Sequence, residues 1–114
     1  MLCHASKRIN KFFSTCAGTK MLQSFRAALV QCSVGKDRQK NLQNASRLID
    51  EAKTNGAQVV ALPECFNSPY GTKFFDEYAE SIPDGPTSKM LSACAKKNSI
   101  FLIGKTSISV INAY

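Results

Sequence analysis

Tryptophan is missing from this 114-residue sequence, histidine occurs once, and the longest apolar runs span only a few residues, such as Val59–Leu62. A bilayer-spanning helix needs about 20 apolar residues in a row. The sequence therefore reads as soluble or peripheral. The five cysteines, Cys3, Cys16, Cys32, Cys65 and Cys94, are odd in number and contain no C-x-x-C pair. With one histidine, His4, beside Cys3, they form neither a disulfide framework nor a zinc site, and a reducing compartment is the simplest setting. No glycine-rich phosphate loop follows the first apolar run. Gly104-Lys105-Thr106 has the ending of such a loop, but the motif needs a glycine five residues earlier, where Ser99 stands.

Acidic residues are also scarce: 8 against 15 Lys and Arg, for a net charge of +7. The first 20 residues hold Lys7, Arg8, Lys11 and Lys20 and no acid at all. The body that follows is only mildly basic. It shows neither a basic face nor a recognised nucleic-acid module, so a nucleic-acid partner is not expected. Residues 1–22 thus separate as a basic leader or extension, and residues 23–114 form the folding unit. A mitochondrial transit peptide has this basic, acid-poor composition; a disordered extension has it too. The expected location is cytoplasmic or mitochondrial.

What the body does contain is a strand–helix rhythm. Arg26–Gln31 has the length and apolar character of a strand. Asp37–Asn55 predicts a helix with Leu42, Ala45, Leu48, Ile49 and Ala52 on one face. Gly56 is placed to take the left-handed conformation that ends it. The sequon Asn44-Ala45-Ser46 falls inside this helix and is best read as chance. Gln58–Leu62 then reads as a strand buried on both faces, since no polar residue alternates through Val59–Leu62.

A long stretch from Pro63 to Pro86 follows, rich in Pro, Gly, Phe and Tyr, which predicts a packed functional loop. Phe74–Glu80 predicts a short helix within it. A second main helix starts near Pro86, with Asp84 available ahead of it, and runs to about Lys97 with Met90, Leu91, Cys94 and Ala95 inward. Asn98 is placed to end it. Ser99–Gly104 predicts a third strand. The β-α-β-loop-α-β order makes an α/β unit with parallel neighbouring strands. Three strands and two helices leave a sheet edge and one face uncovered.

In open α/β sheets, ligands sit beyond the carboxyl ends of the strands. Glu64 occupies that place after the second strand. Flanking apolar and aromatic segments predict partial desolvation, which suits a carboxyl group to general-base work. Position alone leaves two readings open: a base, or a solvated or ion-paired loop glutamate. Phe66, Tyr70, Phe74 and Phe75 likewise fit either a substrate-pocket wall or the loop's own packing.

The stretches Phe25–Gln31, Gly56–Gly71 and Ile100–Gly104, with Leu62-Pro63-Glu64-Cys65-Phe66-Asn67-Ser68-Pro69-Tyr70-Gly71 the most specific, resemble the carbon–nitrogen hydrolase (nitrilase) superfamily, in its omega-amidase branch. Tyr78–Pro83 adds to the likeness, which covers about residues 24 to 104. The resemblance implies an αββα sandwich, of which this chain holds the N-terminal part, about three strands and two main helices. It also implies a homodimer for the full-length family member and a Glu-Lys-Cys triad. The implied substrates are small amides, 2-oxoglutaramate or 2-oxosuccinamate, and no metal or organic cofactor is implied.

Of that triad only Glu64, the general base, has a counterpart here. The family's lysine and nucleophilic cysteine lie in later segments that this sequence does not contain. Lys73 and Lys105 lie outside the matching motif. Lys105 stands where the family usually has a small residue, and the last ten residues depart from the expected loop, as an alternative transcript or truncated gene model would. Cys65, directly after the base, reads as a buried structural thiol; Cys32 and Cys94 read as core thiols. The 114-residue chain is expected to be inactive alone. The alternative is a non-catalytic isoform that associates with full-length subunits.

Overall fold

The computed structural model describes residues 24–105 and, as backbone, residues 5–8. Four strands form one sheet in the order β1 (Ala5–Arg8), β2 (Arg26–Leu29), β3 (Val59–Ala61), β4 (Phe101–Ile103). β2, β3 and β4 run parallel, in the registers Ala28↔Val60 and Val60↔Leu102. The expected α/β unit is therefore present. β1 pairs antiparallel with β2 and lies within the segment read as a leader. The rest of the leader, with Cys3, His4 and Cys16, is outside the described residues, as is the stretch after Lys105.

Helix α1 spans Arg38–Thr54. The Asp37 side chain accepts a hydrogen bond from the Lys40 amide at its start, filling one of the donors that every helix N-terminus leaves unpaired. Its end is set by Gly56, at φ +84, with a guanidinium nitrogen of Arg26 only 2.7 Å from where a Cβ would stand. A side chain there meets backbone strain, while the Arg26 guanidinium could move aside. The inward face is the one the spacing predicts: Ala45, Leu48, Ile49 and Ala52 are buried, and Leu42 packs at the margin.

Helix α3 spans Pro86–Asn98, and Ser99 takes the left-handed conformation at its end. Between β3 and α3 the loop holds a 3-10 turn (Thr72–Phe74) and the one-turn α2 (Phe75–Tyr78). Both main helices cover the same face of the sheet. They enclose Ala28, Val60, Phe66 and Cys94 in one cluster, with Cys32, Met90, Leu91 and Leu102 half-buried against it.

As the element count predicts, one face of the sheet is uncovered; Val59 and Ala61, in the run expected to be covered on both faces, are only half-buried. Leu29, Phe101 and Ile103 are 68%, 77% and 60% exposed. Successive side chains in a strand point to opposite faces, so these residues mark the face away from α1 and α3. With both helices on one side, nothing among the described residues covers the other.

Asp50 joins the two helices. It accepts from the Lys97 ammonium at 2.9 Å and from the Asn98 amide at 2.8 Å. The Lys97 hydrogen bond, then that of Asn98, holds the Asp50 carboxyl below its usual range. A depressed folded-state pKa contributes stability above the ordinary aspartate value of about 4. That contribution is lost as pH falls through the folded value. Lys97, raised mainly by the same bond, contributes below the ordinary lysine value of about 10.4 and loses it as pH rises through its own folded value. We expect Asp50→Asn to flatten the acid limb of stability against pH. Thermal melts from about pH 6 to about pH 2 measure it, and an unchanged acid limb would contradict this assignment.

Candidate active site

The parallel register brings the carboxyl ends of β3 and β4 together. Leu62 continues the ladder, its amide donating to the Ile103 carbonyl at 2.9 Å. The chain then turns, with Cys65 at φ 54. The Cys65 amide donates to the Lys105 carbonyl at 3.3 Å. Glu64 rides on this turn. Its Oε1 lies 2.7 Å from the Lys105 ammonium, and the two side chains are 54% and 75% exposed. The bond to Glu64 pushes the Lys105 pKa up.

The expected desolvation of Glu64 is not found. The carboxylate sits at an open strand end, and the aromatic loop closes on its own interior rather than over the acid. Phe66, 1% exposed, belongs to the core behind the turn, whereas Tyr70 is 79% exposed. Phe74 instead meets Tyr78 edge-on, with ring centroids 6.3 Å apart.

Cys65 is buried at 7% exposure. Burial first, then the Glu64 charge, pushes its thiol pKa up, with Lys105 opposing. That suppresses the thiolate, the nucleophilic form, so the structural-thiol reading stands. The backbone at Cys65 is left-handed. Cys94 is also buried; Cys32 is half-buried, and burial raises its thiol pKa. Lys73 lies over the Phe74 ring.

What sequence reasoning missed is the polar staple beneath the loop. Glu80, 7% exposed, accepts from the Thr87 amide and from the Thr87 hydroxyl, both at 2.8 Å. Glu80, not Asp84, thus satisfies the start of α3. Asn67 donates its side-chain amide to the Thr87 hydroxyl oxygen at 3.2 Å. Asn41 in α1 donates to the carbonyls of Gly35 and Asn67, at 2.7 and 3.3 Å. Arg38 Nε lies 3.3 Å from Glu80 Oε1, near enough for an ion pair but not aligned for a hydrogen bond. Gly85 is required by closeness: a Cβ there would lie 2.8 Å from a Glu80 oxygen. The available signal was an acid followed seven residues later by a Thr at the helix start. Residue type alone could not say that it points inward.

These features define an α/β segment with an acid presented at the carboxyl ends of parallel strands. The carbon–nitrogen hydrolase family model matches residues 26–109, running past Gly104, and the chain belongs to that family. It is 55% identical to omega-amidase NIT2-B of Xenopus laevis over 83 residues, which are 73% of this chain and 30% of that protein. Omega-amidase NIT2 of Homo sapiens is 52% identical over the same shares. Nitrilase homolog 2 of Dictyostelium discoideum is 45% identical over 101 residues, 89% of this chain and again 30% of the relative. The crystal structure of Nit3 from Saccharomyces cerevisiae, a nitrilase-superfamily member, superposes with a TM-score of 0.63 at 41% identity, covering 69% of this chain and 31% of that one. The chain therefore spans about a third of the length of these relatives. The fold is part of a nitrilase-type α/β domain.

Removing the Glu80 carboxyl leaves the buried Thr87 amide without its acceptor. Glu80→Ala is expected to lower unfolding free energy by about 2–3 kcal/mol, read from urea titration. It should also speed hydrogen exchange at the Thr87 amide. Full protection there in the variant would rule out Glu80 as the anchor.

Proposed function

We propose that this chain carries the general-base portion of an omega-amidase-type hydrolase, with Glu64 as the base. The observation that supports it is Glu64's place: beyond the carboxyl end of β3, inside the family-matched segment 26–109. In the proposed reaction the glutamate takes the proton of a cysteine thiol, and the thiolate attacks the amide carbon of 2-oxoglutaramate or 2-oxosuccinamate. Ammonia leaves, and water then releases the 2-oxo dicarboxylic acid. A lysine stabilises charge developing on the amide oxygen. No metal or organic cofactor takes part in this reading. Tyr70, exposed beyond the turn, is the proposed aromatic contact for substrate; Phe66 is buried in the core behind the turn.

The lysine and the nucleophilic cysteine of this scheme have no counterpart in the sequence. We expect no ammonia from 2-oxoglutaramate with the 114-residue chain. A longer chain that supplies both groups should release it, and Glu64→Gln should cut that rate at least about 100-fold, the usual scale of general-base catalysis. Turnover by the short chain alone would overturn the assignment of roles.

The exposed sheet face supports a second reading, in which the chain pairs with full-length subunits without catalysis. Leu29, Phe101 and Ile103 form an apolar surface of the kind that marks an interaction site. Co-purification of this chain with a full-length relative tests it: retention is expected, and loss of retention is expected with Phe101→Lys. Failure of the wild-type chain to associate removes this reading. The proposed homodimer belongs to the full-length form, and the proposed compartment, cytoplasm or mitochondrion, rests on residues 1–22.

A further inference from the structure

Lys105 makes two contacts with one turn, one from its main chain and one from its side chain. Glu64 lies three residues past Ala61, and Lys105 two residues past Ile103, its register partner. The two residues therefore arrive at the same end of the sheet. The Lys105 carbonyl accepts from the Cys65 amide at 3.3 Å, and the Lys105 ammonium meets Glu64 Oε1 at 2.7 Å. One residue thus grips the backbone just after Glu64 and the carboxylate of Glu64 itself.

We propose that Lys105 is a positioning residue for Glu64, fixing Oε1 so that proton acceptance falls to Oε2. This rests on Glu64 being the base. With both side chains more than half exposed, the pair adds little to folding stability. Its effect is on orientation. A glutamate on an open turn otherwise samples several rotamers, and a base works only within hydrogen-bond reach of its proton. The ammonium's stem starts from a residue whose main chain is already held to the same turn by the Cys65 amide, which limits how far the pair can move.

Two measurements on the 114-residue chain test this. A water-soluble carbodiimide activates the Glu64 carboxyl; the Lys105 amine then attacks the carboxyl carbon, an amide bond forms, and the carbodiimide leaves as its urea, carrying the oxygen. Peptide mass spectrometry should find Glu64 linked to Lys105. The Asp50–Lys97 pair, at 2.9 Å, should link as an internal control. Nuclear magnetic resonance couplings across the Glu64 Cα–Cβ bond should show one rotamer in the wild type, averaging in Lys105→Met, and one rotamer again in Lys105→Arg. Exchange protection of the Cys65 amide should survive in all three, because its acceptor is main chain. A linked control without the Glu64–Lys105 peptide overturns the proposal, as do couplings that Lys105→Met leaves unchanged. A longer, ammonia-releasing chain indifferent to Glu64→Gln would instead refute the base assignment, with the cross-link and couplings intact.

Discussion

A buried carboxylate under the loop holds the site in place. Glu80 is almost wholly removed from water, and such burial costs free energy unless the charge is met by donors. Thr87 meets it twice, through its amide and its hydroxyl. Through the Thr87 hydroxyl oxygen the network reaches Asn67, and through the Asn67 carbonyl it reaches Asn41 on α1. Asn67 is three residues from Glu64. The turn that presents the candidate base is therefore tied to the starts of both main helices, and its position follows from polar satisfaction as much as from the apolar core.

The periodic parts of this arrangement were legible in the sequence. The inward face of α1, the left-handed Gly56 and the parallel strands follow from spacing and backbone sterics, and residues near in sequence carry those signals. The staple was not legible, because Glu80, Asn67 and Asn41 come from three separate segments. Asp84 is nearer to the helix start in sequence, yet Glu80 supplies the acceptor. The loop runs so that Glu80 turns inward, and only the folded path decides that.

The half-burial of Val59 and Ala61 has a related reason. Val59–Leu62 is apolar throughout, which predicts cover on both sides. The sequence pattern reports what each face is suited to meet, not whether this chain supplies it. Both helices pack on one face, so Leu29, Phe101 and Ile103 stay in water. The position of Glu64 was readable from its motif. Its solvation was not, since that depends on what covers the strand ends, and nothing among the described residues does.

The open face and the exposed Glu64 carboxylate both lie where nothing among the described residues covers the sheet. In water, the attraction between Glu64 and Lys105 is screened by a high dielectric constant and by salt. A layer packed on Leu29, Phe101 and Ile103 and reaching the strand ends would bury apolar surface and also displace water from around the pair. The same 2.7 Å contact would then act in a less polar medium, where ionic interactions strengthen and unmet charges become costly. On the proposed assignment of Glu64 as base, its chemistry would therefore depend on what covers that face. A partner docked on the apolar face would thus set the medium around the proposed base as well as bury Leu29, Phe101 and Ile103.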